Sequence, residues 1–119
     1  MGRELVVKEL APQLPVILFD RDGYCRILNT EAEAVGWVEP LLMDELAAVF
    51  DGFGRSLSLT WDDPASGKGG PHYVLESNVS DIELLRAFIH RTLTRKGLVV
   101  DVSAMDLKQL LVTISLLEA

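Results

Sequence analysis

The chain has 119 residues, of which 49% are hydrophobic, and its 11 Lys and Arg against 18 Asp and Glu leave a formal net charge of −7. This length predicts a single domain, residues 1–119, that buries a core without disulfides or metal. The negative charge repels phosphate backbones and anionic lipid surfaces, which argues against nucleic acid and membranes as direct ligands. A basic protein partner is the ligand class that the charge favours.

Cysteine usage and the first residues indicate a reducing compartment. Cys25 is the only cysteine, so no disulfide can form within the chain, as is usual in the cytosol. Arg3, Glu4 and Lys8 stand where a signal peptide would be apolar. We therefore expect a cytoplasmic protein.

The first half of the chain predicts strands and one short helix. An apolar run at residues 16–19, an Asp-Arg-Asp-Gly turn and a second β-prone run are typical of a hairpin. Because its first strand is apolar throughout, we expect that strand to be covered on both faces. Thr30 and Glu33 fit a capping box that starts a short helix.

A second hairpin is predicted over residues 47–61, around a turn at residues 51–54. Its outgoing strand alternates apolar and polar residues, which places Leu57, Leu59 and Trp61 on one buried face. Phe-Asp-x-x-Gly occurs at both turns, at Phe19 and at Phe50. We interpret this repeat as two turns of the same chemistry, not as a duplicated unit.

The last half predicts a loop and two helices. The Pro- and Gly-rich residues 62–71 indicate a flexible loop, followed by a strand at residues 72–76. Ser80 and Glu83 fit a capping box for a helix that ends at Gly97. Residues 98–102 predict a short strand, and Ser103 opens a last helix. This helix is apolar beyond one stripe, so it is a core element or the contact of a homodimer.

Strands dominate the first two thirds of the chain and helices the last third. We therefore predict an α+β fold, with a mainly antiparallel sheet of about 4–6 strands and two or three helices. The two C-terminal helices are expected to pack on one face of the sheet.

Residues 16–23, VILFDRDG, resemble the first motif of haloacid-dehalogenase-type phosphatases. The resemblance implies Asp20 as the nucleophile and Asp22 as the acid that protonates the leaving group. Tyr24 and Cys25 depart from the Thr-Leu that follows in the family. Asp62 and Asp63 precede Lys68, whereas the family places its acidic pair after the lysine. A small enzyme that uses Asp20 and Asp22 is thus the second alternative, and we predict no catalytic residue.

Other motifs for cofactors and metals are incomplete. The Asp-x-Asp-Gly turn lacks the later ligands of a calcium loop. Residues 66–70 carry Gly69 where a phosphate loop needs Ser or Thr. His72 and His90 have no visible nucleophile beside them in the sequence. We therefore predict no cofactor and no metal.

Residues 16–37 resemble the opening of PAS sensory domains: an apolar strand, Asp-x-Asp-Gly, a second strand, an Asn, and a helix with Ala and Glu that ends near Gly36 and Trp37. The resemblance implies a small-molecule sensor, which is the first alternative.

Residues 36–40, 50–55 and 57–59 are together similar to small bacterial α+β proteins, some of which are immunity partners in polymorphic toxin systems. That resemblance implies a protein that binds another protein.

Our leading hypothesis is a non-enzymatic protein-binding module of the immunity or regulatory type. The acidic charge, the apolar content and the lack of a complete catalytic set motivate it. The expected contact surface consists of acidic side chains near the loops, namely Asp44, Glu45, Asp62 and Asp63.

Overall fold

Five strands and three helices make up the described part of the chain, which is residues 11–36, 44–63 and 68–118 of a computed structural model. In chain order they are β1 (Val16–Asp20), β2 (Cys25–Leu28), α1 (Glu31–Gly36), β3 (Leu46–Phe50), β4 (Leu57–Asp63), β5 (Lys68–Leu75), α2 (Ile82–Arg95) and α3 (Leu107–Glu118). All strand pairs are antiparallel, in one sheet of order β2-β1-β3 and a second of order β4-β5. The predicted α+β class is confirmed.

Strand β1 lies at the centre of three layers. Ile17 and Phe19 pack against α2 and α3 on one side, whereas Val16 and Leu18 pack against α1 and the β4–β5 hairpin on the other. All four side chains are buried. Because an entirely apolar strand must lose water from both faces, β1 needs a layer on each side. The prediction that it is covered on both faces is confirmed.

The two C-terminal helices cover one face of the first sheet, as predicted. Leu85 and Ile89 of α2 and Leu110 and Ile114 of α3 are fully buried in the same cluster as β1. Leu110 therefore belongs to the core of the domain. Among the α3 residues up to 116, whose burial the structure describes, the large exposed apolar side chains are Val112 and Leu116. A homodimer through this helix would have to use that outer face.

The prediction that β3 and β4 pair as a second hairpin is wrong. Strand β3 pairs with β1 and β4 pairs with β5, and a single bridge between Phe50 and Ser56 joins β3 to β4. The predicted alternation of buried or half-buried side chains with exposed ones in β4 is confirmed, and it explains why β3 and β4 belong to different sheets. Its apolar side chains pack onto the Val16 and Leu18 face of the first sheet, so β4 has to leave the plane of that sheet.

The predicted loop at residues 62–71 is shorter than expected. Strand β4 continues to Asp63 and β5 begins at Lys68, with Trp61 opposite Pro71 and Asp63 opposite Lys68. Residues 64–67 lie outside the described residues. A proline is tolerated in β5 because each strand of a two-stranded sheet has a free outer edge, where an N–H is not needed.

The start of α2 differs from the prediction by one residue, whereas its end is confirmed. Asp81 is the cap, since its side chain accepts a hydrogen bond from the Leu84 amide at 3.2 Å. The Ser80 hydroxyl instead donates to the carbonyl of Phe53. At the other end Gly97 has φ of 75°, and the next amide, that of Leu98, donates to the carbonyl of Leu93.

Residues 98–102 do not form the predicted strand, and the last helix does not start at Ser103. The Arg86 guanidinium donates to the carbonyls of Val102 and Met105, at 3.0 and 2.8 Å, and so holds this segment in an irregular turn. Helix α3 starts after Asp106, whose side chain accepts from the Gln109 amide while the Gln109 side chain accepts from the Asp106 amide, both at 2.9 Å. Among the described residues, no helix combines the length and apolar character needed to cross a bilayer.

Replacing Asp106 with Ala should weaken α3, because it removes the acceptor for the Gln109 amide. We expect the free energy of unfolding to fall by about 1 kcal/mol, the usual cost of losing an N-terminal cap. Ser103→Ala, at the residue where the sequence predicts the helix to begin, is the matched control and should cost less. Urea unfolding followed by circular dichroism compares the two, and a larger loss for Ser103→Ala would contradict this helix start.

Tyr73 should make stability depend on pH in alkaline solution. Its hydroxyl donates to the Ala34 carbonyl at 2.6 Å, and burial raises the pKa of the phenol from 10.0 to about 12. Because the unfolded chain loses this proton first, the stabilisation is complete below pH 10 and declines as the pH rises towards 12. Tyr73→Phe should cost about 0.5–1.5 kcal/mol at neutral pH. The advantage of the wild type should shrink in urea unfolding at pH 11–12, and an advantage that is independent of pH would count against this account.

Candidate functional site

A cleft of about 450 Å³ opens on the outer side of β3, between the first sheet, the hairpin and α2. Most of its lining is apolar, and its two walls belong to different layers of the fold. The lining residues are Leu46, Ala47, Ala48, Val49, Ser56, Leu57, Leu59, Glu76, Leu84 and Phe88.

Two strand edges border the cleft. Among the described strands, β3 is the outer strand of its sheet, and β4 and β5 each have one edge that pairs with no other described strand. Within the described ranges, the bridge between Phe50 and Ser56 is the one backbone pairing between β3 and β4. An unpaired strand edge carries N–H and C=O groups that can accept another strand.

The free part of the β3 edge is short. In the pairing with β1, Phe19 lies opposite Ala48 and Asp20 lies opposite Leu46. Ala47 is therefore the extra residue of a β-bulge, which bends the strand and increases its twist. Leu46–Val49 is the stretch of β3 that lines the cleft.

Helix α2 forms one apolar wall of the cleft. Leu84 and Phe88 are four residues apart, so they lie on one helix face. Leu84 is 40% exposed. The Phe88 ring packs against Phe19 and Phe50, with ring centroids 5.3 and 6.2 Å apart. This wall is anchored in the core and presents an apolar edge to solvent.

The charged groups along the cleft are acidic. Glu76 is exposed on the lining, and its amide donates to the Ser56 carbonyl at 3.0 Å. A second depression, of about 460 Å³, shares Ser56, Glu76 and Leu84 with the cleft and continues to Val79 and Asp81. Among the described residues, neither lining includes Lys or Arg. The groove thus combines apolar surface with carboxylates.

The four acidic residues predicted as a contact surface flank this cleft in the topology. Asp44 and Glu45 are exposed and immediately precede β3, whereas Asp62 and Asp63 end β4. Because β3 and β4 run antiparallel from their bridge, the start of β3 and the end of β4 both lie towards the end of the cleft away from that bridge. Partner binding by these residues stays a prediction.

Asp20 and Asp22, the residues of the phosphatase motif, lie in a turn. One carboxylate oxygen of Asp20 accepts the amides of Asp22 and Tyr24, at 2.9 and 2.8 Å. Arg91 reaches this turn through backbone carbonyls, those of Asp20 and Arg21. The described geometry therefore gives Asp20 a structural role in the turn, and the absence of enzymatic activity stays a prediction.

The turn after β3 repeats this geometry. The Asp51 carboxylate accepts the amides of Phe53 and Arg55, both at 3.0 Å, two and four residues further on, as in the first turn. Gly23 and Gly54 both have positive φ, of 91° and 74°. The interpretation of the repeated Phe-Asp-x-x-Gly pattern as shared turn chemistry is confirmed.

The second turn also contains a buried ion pair that the sequence analysis missed. Asp51 and Arg55 are 0% and 4% exposed, and the guanidinium donates two hydrogen bonds to the second carboxylate oxygen at 3.0 and 2.7 Å. That oxygen also accepts the Gln13 amide, while Arg55 donates to the Ala11 carbonyl and to the Asn78 side chain. One feature of the sequence could have indicated this ion pair: the residue after Gly54 is Arg55, whereas the residue after Gly23 in the first turn is Tyr24.

The remaining predicted candidates do not form a further site. His72 and His90 are exposed, and Cys25 is half-buried against the core. In the described ranges, no three His, Cys, Asp or Glu side chains lie close enough together to hold a metal ion. Trp37, which ends the PAS-like stretch, and residues 66–67 of the Gly-rich stretch lie outside the described residues.

Comparison of the chain with protein-family models, with curated proteins and with solved structures finds no significant match. The resemblances noted in the sequence are thus neither supported nor contradicted. A functional assignment has to rest on the geometry of the cleft and its charges.

Removing the buried Asp51 carboxylate should be far more costly than removing its half-buried counterpart in the first turn, that of Asp20. Asp51→Ala removes the carboxylate that accepts two hydrogen bonds from the buried Arg55 guanidinium, and we expect a loss of about 3–5 kcal/mol in the free energy of unfolding. Asp20→Ala removes the two equivalent hydrogen bonds of the first turn but no buried ion pair, and it should cost about 1–2 kcal/mol. Chemical denaturation of both variants checks this, and equal losses would show that the ion pair adds nothing beyond the turn.

Proposed function

We propose that this chain is a non-enzymatic protein-binding module, of the immunity or regulatory type, which holds its partner in the cleft beside β3. The observation that carries the proposal is that two strand edges, unpaired within the described ranges, meet an apolar wall from α2. Sheet edges and apolar grooves are two of the surfaces on which proteins recurrently bind a segment of another chain.

Exposure of apolar side chains along the groove supports a partner at this place. Leu84 is 40% exposed and Val79 is 72% exposed, in two depressions that share part of their lining. Contiguous apolar surface that is rimmed by polar groups is typical of an interaction site.

The charge of the chain supports a basic partner. The net charge is −7, and the charged side chains of the described cleft lining are carboxylates. Such a field speeds the encounter with a positively charged protein and weakens as salt screens it.

A small-molecule sensor is the second candidate, because a separate cavity has a suitable size. It measures about 450 Å³ and lies between α1 and β5, with Val16, Ala34, Val35 and Tyr73 among its lining residues. Cavities of roughly 300–1,000 Å³ with a mainly apolar lining are usual for small ligands. A retained small molecule would favour this candidate.

The proposal is tested by capture from an extract of the source cells at low and at high salt, with mass spectrometry of retained proteins and small molecules. Leu84→Glu puts a charge into the cleft, and Leu116→Glu puts the same charge on the exposed outer face of α3. We expect a basic protein to be retained at low salt by the wild type and by Leu116→Glu, and to be reduced at least tenfold by Leu84→Glu.

Equal retention by the two variants would place the partner elsewhere and overturn the assignment to the cleft. Retention of a small molecule without any protein would replace the proposal by the sensor. Melting temperatures of both variants within a few degrees of the wild type serve as the folding control.

A further inference from the structure

The outer edge of β3 offers backbone groups to the cleft. The inner edge of this strand pairs with β1, whereas the outer edge faces the cleft along Leu46–Val49 and pairs with no described strand there. A segment that enters the cleft in extended conformation can pair with this edge through main-chain hydrogen bonds. At about 3.3 Å per residue, the available edge suits a pairing of about four residues.

The two walls of the cleft would contact an added segment on both of its faces. Successive side chains of a strand point to opposite faces. One set would therefore face Leu84 and Phe88 of α2, and the other would face Leu57 and Leu59 of the hairpin. The added strand would lie between the same two layers as β1, whose residues 16–19 are apolar and buried. The centre of the segment is therefore expected to be apolar on both faces.

Carboxylates lie at both ends of the cleft. Glu76 lies near the bridged end of the cleft, and Asp44 and Glu45 precede β3 at the other end. Lys or Arg on either side of the apolar centre would meet these carboxylates. The β3 strand of a second copy carries Asp44 and Glu45 before its own apolar residues. Self-pairing through β3 would thus bring like charges together, which disfavours a homodimer at this edge.

We infer that the partner contributes an extended segment, apolar at its centre and flanked by Lys or Arg, which pairs with the outer edge of β3 and so adds a fourth strand to the described β2-β1-β3 sheet. The inference rests on the proposed function and specifies its binding mode. It differs from burial of a helix in the same groove, because strand addition requires backbone N–H groups of the segment.

The test uses a fluorescein-labelled peptide with a Val-Ile-Val-Thr-Val centre and two lysines at each end, titrated with the full chain and followed by fluorescence anisotropy. Three comparisons are made. The first uses two methylated peptides, one for each alternate set (register) of backbone amides, since only one set can face β3. The second uses a peptide with glutamate in place of each lysine, and the third uses the protein variants Leu84→Glu and Leu116→Glu. Exchange of the amide hydrogens of residues 46–49 is measured with and without the unmodified peptide.

We expect the lysine-flanked peptide to bind, and binding to weaken at least tenfold on amide methylation in the hydrogen-bonding register, on lysine-to-glutamate replacement and in Leu84→Glu. Leu116→Glu should bind as the wild type does, and amide exchange at residues 46–49 should slow at least tenfold at saturation. Because methylation removes N–H groups but keeps the apolar centre, it separates strand pairing from apolar contact alone.

Strand addition is overturned if the lysine-flanked peptide does not bind up to its solubility limit, if both methylated registers bind as well as the parent, or if exchange at residues 46–49 is unchanged. Should any of these occur while Leu84→Glu still releases the captured protein, the cleft is a binding site of another mode. Should Leu84→Glu release nothing in the capture experiment, the proposed function fails independently of the peptide result.

Discussion

The buried ion pair between Asp51 and Arg55 is the constraint on which the arrangement of the layers depends. Its carboxylate accepts five N–H groups, from Gln13, Phe53 and Arg55, and the guanidinium in turn reaches Ala11 and Asn78. A buried charge is tolerated only when its hydrogen bonds are satisfied. The pair therefore requires three distant segments to meet at the turn after β3, and this turn is where the chain leaves the first sheet for the hairpin.

That departure creates the cleft. The hairpin packs on one face of β1 and the two C-terminal helices pack on the other, so β3 is left as an outer strand with a layer on each side. A sheet that continued from β3 into β4 would have no such gap. Phe88 and Leu59, one on each wall, lie at the margins of the two core clusters, which is why the cleft lining is mainly apolar.

Local signals in the sequence predicted what depends on neighbours within a few residues. The first hairpin, the Thr30 box, the positive φ of Gly97 and the alternation in β4 are of this kind. The wrong predictions involve partners distant in sequence. Ser80 caps no helix because it bonds to Phe53, and residues 98–102 form no strand because Arg86 takes their carbonyls. For the candidate site, the sequence predicted acidic residues that flank the cleft. It predicted Leu84 only as a residue of a helix and did not indicate that this side chain lines a cleft.

Composition and local pattern by themselves determined the α+β class, the acidic charge, the central apolar strand and the shared chemistry of the two Asp-Gly turns. Tertiary structure alone decided that Arg55 is buried against Asp51, that β3 and β4 belong to different sheets, and that a cleft lies between them. The physical reason is that turn and strand preferences act over a few residues, whereas the partner of a strand edge or a buried charge is chosen by packing among segments far apart in the chain.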